Sequence, residues 1–452
     1  MTPRPGAGHR GQMATNAIDT WTDSVSTSSQ SYEDSVLGLK QRRADALDKF
    51  AQVGFPGRKH EEWRYTPLTS IASGPCSALL ERSGSLLDRK LLPVDSNGVA
   101  RIVIDNGEFR DDLSDLSAVG DHVQVQSLAS MRREHPEQLS ELLARSFPAD
   151  DHPFHCLSDA LLDDGVFIDV APMSDVDGEV ASIHIIHYLD GSRGPGSVHT
   201  TGLLRISKGA RIRLIEEIHC QGEVLGNIRW GVDLAEGSDV HRIRAFRSGC
   251  ASIFHGSRVV QQQDSRFEDV FTCAGADLVR NEIHILHEGS GCHAELLGAY
   301  VASGTEHIDN HTTIDHKVED CTSREIYRGV LSGKSRGVFT GMIHVHEGAQ
   351  RTDAVQSNDT ILLSGAAEAD SRPRLEIYAD DVKCTHGATV GELDEDAIFY
   401  LRSRGISFEQ ARRMLVRAFT SEILIAAGSQ VVSDFIVEEL QQAIDVAEVA
   451  SS

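Results

Sequence analysis

Apolar and polar residues alternate along this chain in three successive textures. From Tyr32 to Val53, Leu37, Leu47, Phe50 and Val53 stand among many charges as on a surface helix, which Pro56 and Gly57 close. The stretch SLASMRREHPEQLSELLARSF, 127–147, carries a helical period broken at Pro136. These features predict a mainly helical region over 32–165, preceded by a Ser/Thr-rich disordered tail over 1–31.

From Val166 to Gly391 the period drops to two, in short runs such as ASIHIIHYL, VHRIRAF, EIHILHE, AELLGAYVA and RLEIYADDVKC, which are strands. A Gly followed by a small residue recurs between them, as at Gly209-Ala210, Gly237-Ser238, Gly275-Ala276, Gly348-Ala349 and Gly387-Ala388. No helical pattern of ten or more residues interrupts the run, so alternating βαβ units are disfavoured. A sandwich, a barrel or a stacked β-solenoid remains. The Gly-small step, one per corner, favours the solenoid. Beyond Gly391 helices return over 392–452. Asp394 begins one, and Ser407 caps a second in which Ala411, Leu415, Ala418, Phe419 and Ile423 share one side; SDFIVEELQQAIDVAEV, 433–449, makes a last.

Composition then removes several classes of function. The chain has 452 residues, with 68 acidic against 43 basic and a formal charge of −25, which disfavours broad contact with nucleic acid. Its eight cysteines form no CxxC pair and no dense disulfide scaffold, so a reducing cytoplasm fits. No run approaches the 18 or so apolar residues of a membrane span, and the N-terminus lacks the pattern of a signal peptide.

Candidate chemistry is sparse. LSGKSRG, 331–337, contains the GKS of a phosphate loop, but Arg328 stands where that motif needs Gly. Histidines crowd the β region; His344 and His346 in IHVHE fall two apart on one strand face, where a pair can share a metal or simply be solvated. Cys384 and His386 in DDVKCTHGATVG likewise share a face. They could be two ligands of an incomplete metal site, a nucleophile and its base, or a small buried hydrophobe beside a surface histidine. Asp380 and Asp381 could be offered as the carboxylate pair of a polysaccharide-acting solenoid enzyme, but adjacent strand residues point to opposite faces.

Several long motifs occur in order. EEWRYTPL, GTEHIDNHTTIDH, REIYRGVLSGKSRGVFTGMIHV, RTDAVQSNDTILLS and RPRLEIYADDVKCTHGATVGELDEDAIFYLRSRGI resemble the SufB/SufD family of iron-sulfur cluster assembly proteins, over roughly 55–428. The KCTHGAT form is that of the SufD branch, whereas SufB-like chains tend to carry a Glu-Ala pair there. The resemblance implies a right-handed parallel β-helix between helical ends and a non-catalytic scaffold that pairs with SufB, or with itself in isolation, and binds the ATPase SufC. It implies that His386, with Cys384 less securely, faces SufB where a transient iron or iron-sulfur cluster is built, with no cofactor held stably by the chain alone. It also implies a SufC-docking surface on the C-terminal helices, expected to include Phe399, Tyr400, Arg404, Ala411, Leu415 and Phe419.

Overall fold

The computed structural model describes residues 20–426, apart from 31, 33, 74–78, 81–86, 88–97, 173–179 and 248–250. The expected last helix over 433–449, and residues 1–19 of the expected tail, lie outside the described residues. The N-terminal part runs through α1 (20–30), α2 (Leu37–Val53), a 3-10 turn (Glu61–Trp63), α3 (Thr69–Ser73), β1 (Ala100–Asp105), β2 (Glu108–Phe109), β3 (Val123–Ser127), α4 (Leu128–Glu134), α5 (Pro136–Ser146) and α6 (Pro153–Ala160). The strands β4 (Gly165–Val170), β5 (Ala181–Ile206), β6 (Arg211–Leu234), β7 (Asp239–Arg247), β8 (Ala251–Gln261), β9 (Arg266–Ala274) and β10 (Leu278–His287) follow. Then come β11 (His293–Ala302), β12 (His307–His316), β13 (Thr322–Leu331), β14 (Arg336–Val345), β15 (Asp353–Leu362), β16 (Glu368–Ile377) and β17 (Lys383–Gly391), and finally α7 (Glu395–Ser403) and α8 (Phe408–Ala426).

The strands stack as a parallel β-solenoid with two ladders. One runs β6, β8, β10, β12, β14, β16 and the other β6, β7, β9, β11, β13, β15, β17, every pair parallel. Leu278 sits on His307 and His307 on Arg336, so each of these coils takes 29 residues to return to the same place. The corners explain the recurring Gly-small step. Gly209 and Gly237 turn with φ of 69° and 64°, a region that glycine enters without steric cost. The small residue that follows is fully buried, as are Ala210, Ser238 and Ala276. Along one corner the N–H groups of Asp239, Arg266, His293, Thr322, Asp353 and Lys383 donate to the carbonyls of Ala210, Ser238, Ser265, Cys292, Cys321 and Thr352. Cys292 and Cys321 thus occupy the place of small corner residues.

Inside, large and absent side chains alternate between coils. The ring of Tyr327 fills the space over Gly298, and Tyr300 fills that over Gly329; both are register pairs of β11 and β13. A continuous core of Ile, Val, Leu and Phe runs through the solenoid from β1 to β14.

Four expectations are revised here. The tail is helical over 20–30, because Trp21, Val25 and Ser29 recur every four residues and are buried. In α2 the buried face is Leu39, Arg43, Ala46 and Phe50, while Leu37 and Val53 are exposed; Arg43 is drawn in by Asp34 at 3.0 Å and by the carbonyls of Ala160 and Leu162. The N-terminal region also supplies strand: β1 pairs in parallel with β5, so the solenoid starts before Val166. In α8 Ala418 faces outward, and Ala411, Val416, Thr420 and Ile423 form the buried line.

The EEWRYT stretch is the clamp that holds the N-terminal helices to the solenoid. The Arg280 guanidinium lies 3.8 Å above the Trp63 ring, donates to the Glu62 carbonyl at 2.9 Å and pairs with Asp309 at 2.8 Å. Thr66 donates to the same carboxylate, and Glu61 pairs with Arg372 and Arg374 of β16. Every member is buried or paired, so the motif is structural in this chain.

Candidate functional site at the open end of the solenoid

The second ladder ends at β17, which pairs with β15 on one side only, and with it the stack of coils stops. Interior strands such as β11 and β13 are almost wholly buried, whereas every residue of β17 except the half-buried Cys384 is exposed. Its free backbone edge is the kind that another chain can pair with.

Cys384 and His386 sit on this strand, in register with Ala354 and Gln356 of β15, both buried. Their side chains therefore continue inward-facing columns that here have no further coil on top. His386 is exposed to solvent. Cys384 is half-buried against Ile343, Val345, Ala349, Ala354 and Ala379, and burial, with the nearby Asp353 carboxylate, pushes its thiol above the ordinary range. It is a thiol at neutral pH unless a cation lowers it. Among the described residues, neither belongs to a cluster of three or more potential metal ligands. Two donors of one chain, imidazole and thiol, stand at the edge with no third.

Beneath His386 the column is polar. Gln356 Nε2 donates to Glu325 Oε2 at 2.7 Å, and Thr312 Oγ1 donates to the same oxygen at 3.0 Å. Burial outweighs both hydrogen bonds and raises the Glu325 carboxyl to about 7. Sequence reasoning passed over Glu325 and Gln356, although their spacing of 31 residues, close to a coil length, was a signal that a search at that period would have met.

The C-terminal helices lie beside this end. Asp394 caps α7, its side chain accepting from the Asp396 and Ala397 N–H groups, and Ser407 Oγ accepts from Gln410 N–H at 3.2 Å at the start of α8. Val416 and Ile423 of α8 pack on Ile243, Val270, Leu297, Ile326 and Val330 of the outer solenoid face. Of the residues expected to dock a partner, Ala411 is fully buried and Phe419 is packed beneath the helix, where Arg328 covers its ring. Leu415 is half-buried. The others are outward: Phe399 is 74% exposed and Tyr400 58%, Arg404 is exposed, and α7 buries no residue at all. Between α7, α8 and the β15 end runs a groove of about 470 Å³, lined by Leu362, Leu393, Ile398, Phe399 and Phe408.

Residues 188–419 match the family described as SUF system FeS cluster assembly, SufBD core domain, and residues 18–181 match the SufBD protein N-terminal region. The chain belongs to the SufBD family. It is 30% identical over 383 residues to the iron-sulfur cluster assembly protein SufD of Escherichia coli, covering 83% of this chain and 86% of that one. It is 27% identical over 403 residues to an iron-sulfur cluster assembly SufBD family protein of Synechocystis, covering 87% and 88%. This SufBD chain is therefore an iron-sulfur cluster assembly protein, and no described helix is long and apolar enough to cross a membrane.

Two other sequence candidates take different positions. Asp380 and Asp381 lie in the corner between β16 and β17, not on a strand, where the backbone of Asp381 bonds to Arg351 and Gln350. They flank no groove. His344 and His346 belong to the other ladder and converge on Asp315.

Proposed function

We propose that this chain is a non-catalytic scaffold of the Suf machinery that pairs with SufB through the open end of its solenoid and binds the ATPase SufC through its C-terminal helices. The observation that carries the reading is the uncapped β17, which leaves His386 solvent-facing on a free strand edge. A second solenoid laid against that edge would satisfy its backbone groups and bring further ligands to the imidazole and the Cys384 thiol. The cluster is then cargo, built transiently between two chains, and the isolated chain holds no cofactor of its own. Motion driven by ATP in SufC would reach this edge through α7 and α8, which follow β17 directly in the chain.

The test is co-expression with SufB and SufC without oxygen, comparing the native chain with His386→Ala. The expected result is an assembled complex of unchanged stoichiometry with iron and acid-labile sulfide reduced at least tenfold. Cluster content equal to the native level in the variant would overturn the assignment of His386. A stable homodimer that excludes SufB would overturn the pairing.

A further inference from the structure

The first ladder of the solenoid carries a second group of metal-type side chains that the open end does not use. His284 of β10, Asp315 of β12 and His344 of β14 come from three successive coils, and His346 follows β14 by one residue. His344 Nδ1 lies 2.9 Å from Asp315 Oδ1, and His346 Nε2 lies 3.4 Å from the same oxygen. The two imidazole rings stand side by side with centroids 4.0 Å apart, and Tyr378 meets His344 edge-on. His284 approaches from the opposite side, its Nε2 2.6 Å from Asp315 Oδ2. All four are partly open to solvent.

We propose that Asp315 Oδ1, His344 Nδ1 and His346 Nε2 form a binding site for one divalent first-row transition cation, with His284 orienting the carboxylate. Donors bound to one such ion at about 2.0–2.2 Å lie about 3–3.5 Å from each other, and the observed separations from Oδ1 fall in that range. Two imidazoles and one carboxylate on one side of an ion select iron(II), cobalt(II), manganese(II) or zinc(II) over calcium or magnesium, which prefer oxygen alone. Three protein donors leave the remaining coordination positions to water, so the ion is exchangeable. His284 is too close to Oδ2 to share the ion. It instead donates to the outer oxygen, the supporting contact that fixes a ligand carboxylate. Burial alone would raise the Asp315 carboxyl, but its hydrogen bonds and charge interactions with His284, His344 and His346 outweigh burial and hold it well below the usual carboxylate range, so it is ionised at neutral pH.

The site stands apart from the reading of the open end, since it shares no residue with Cys384 and His386. Cobalt(II) is the probe, added to the purified full-length chain at neutral pH and followed by its visible d–d absorption and by calorimetry. One equivalent is expected to bind, with binding at least tenfold weaker in His344→Gln, in His346→Gln and in Asp315→Asn, weaker to a smaller degree in His284→Gln, and unchanged in His386→Ala. His346→Gln lies outside the strand and keeps the fold, which the far-ultraviolet spectrum and melting curve verify. Binding that survives His344→Gln and His346→Gln, or the absence of a saturable equivalent in the native chain, overturns the site; loss of binding in His386→Ala alone would place the ion at the open end instead.

Discussion

Glu325 shows how one residue couples this solenoid to pH. Its folded carboxyl, raised to about 7, holds a proton that the unfolded chain releases near the ordinary value of 4.5. The folded state therefore binds more protons between these two values. The contribution is fully present below about 4.5, falls by about 1.4 kcal/mol per pH unit as pH rises toward 7, and changes no further above it. Glu325→Gln keeps the shape and an acceptor for Gln356 and Thr312 without the ionisation. Denaturant unfolding between pH 5 and 7 should show a flatter decline for the variant than for the native chain; parallel slopes would mean that Glu325 ionises normally. This residue gave no signal in the sequence beyond its place in a strand run. His386 was legible, because its motif and its alternation with Cys384 are local, whereas Asp315 was not, because its partners sit 29–31 residues away and only the coil brings them together.

At the scale of elements, α7 and α8 divide the labour that the sequence assigned to one surface. The apolar line of α8 is spent on the chain's own solenoid, and the exposed apolar groups are on α7 and at the start of α8, with Phe399, Tyr400 and Phe408. Ile423→Ala should cost about 2 kcal/mol or more of local packing and speed proteolysis in the 404–407 linker. Phe399→Ser combined with Tyr400→Ser should leave the unfolding midpoint within error while reducing capture of SufC at least tenfold. Retained capture in that double variant would move the docking surface elsewhere. Period alone found both helices and their caps, Asp394 and Ser407, since capping is a matter of adjacent residues. It misjudged Ala418 and, in α2, Leu37 and Val53, because which side of a helix is covered depends on what lies across from it.

For the whole molecule, the N-terminal helices and the solenoid are joined through a small polar and aromatic knot, Trp63 on Arg280 on Asp309 with Thr66. Trp63→Ala removes a fully buried ring and uncovers the guanidinium, at a cost of about 3–5 kcal/mol. The expected outcome is an early thermal transition of the N-terminal region ahead of the solenoid; a single transition at the native midpoint would show that the clamp carries no coupling. The amino-acid sequence by itself determined the local features of this protein: period-two strands, glycine corners, helix caps and the exclusion of βαβ units, all of which depend on residues within one turn or one strand of each other. Only the tertiary structure decided which strand ends the stack, that β1 joins it, that the tail folds from residue 20, and which histidines meet a carboxylate. Those outcomes depend on groups one coil or more apart, and the chain's local sterics and hydrophobic pattern do not specify what the next coil will place beside them.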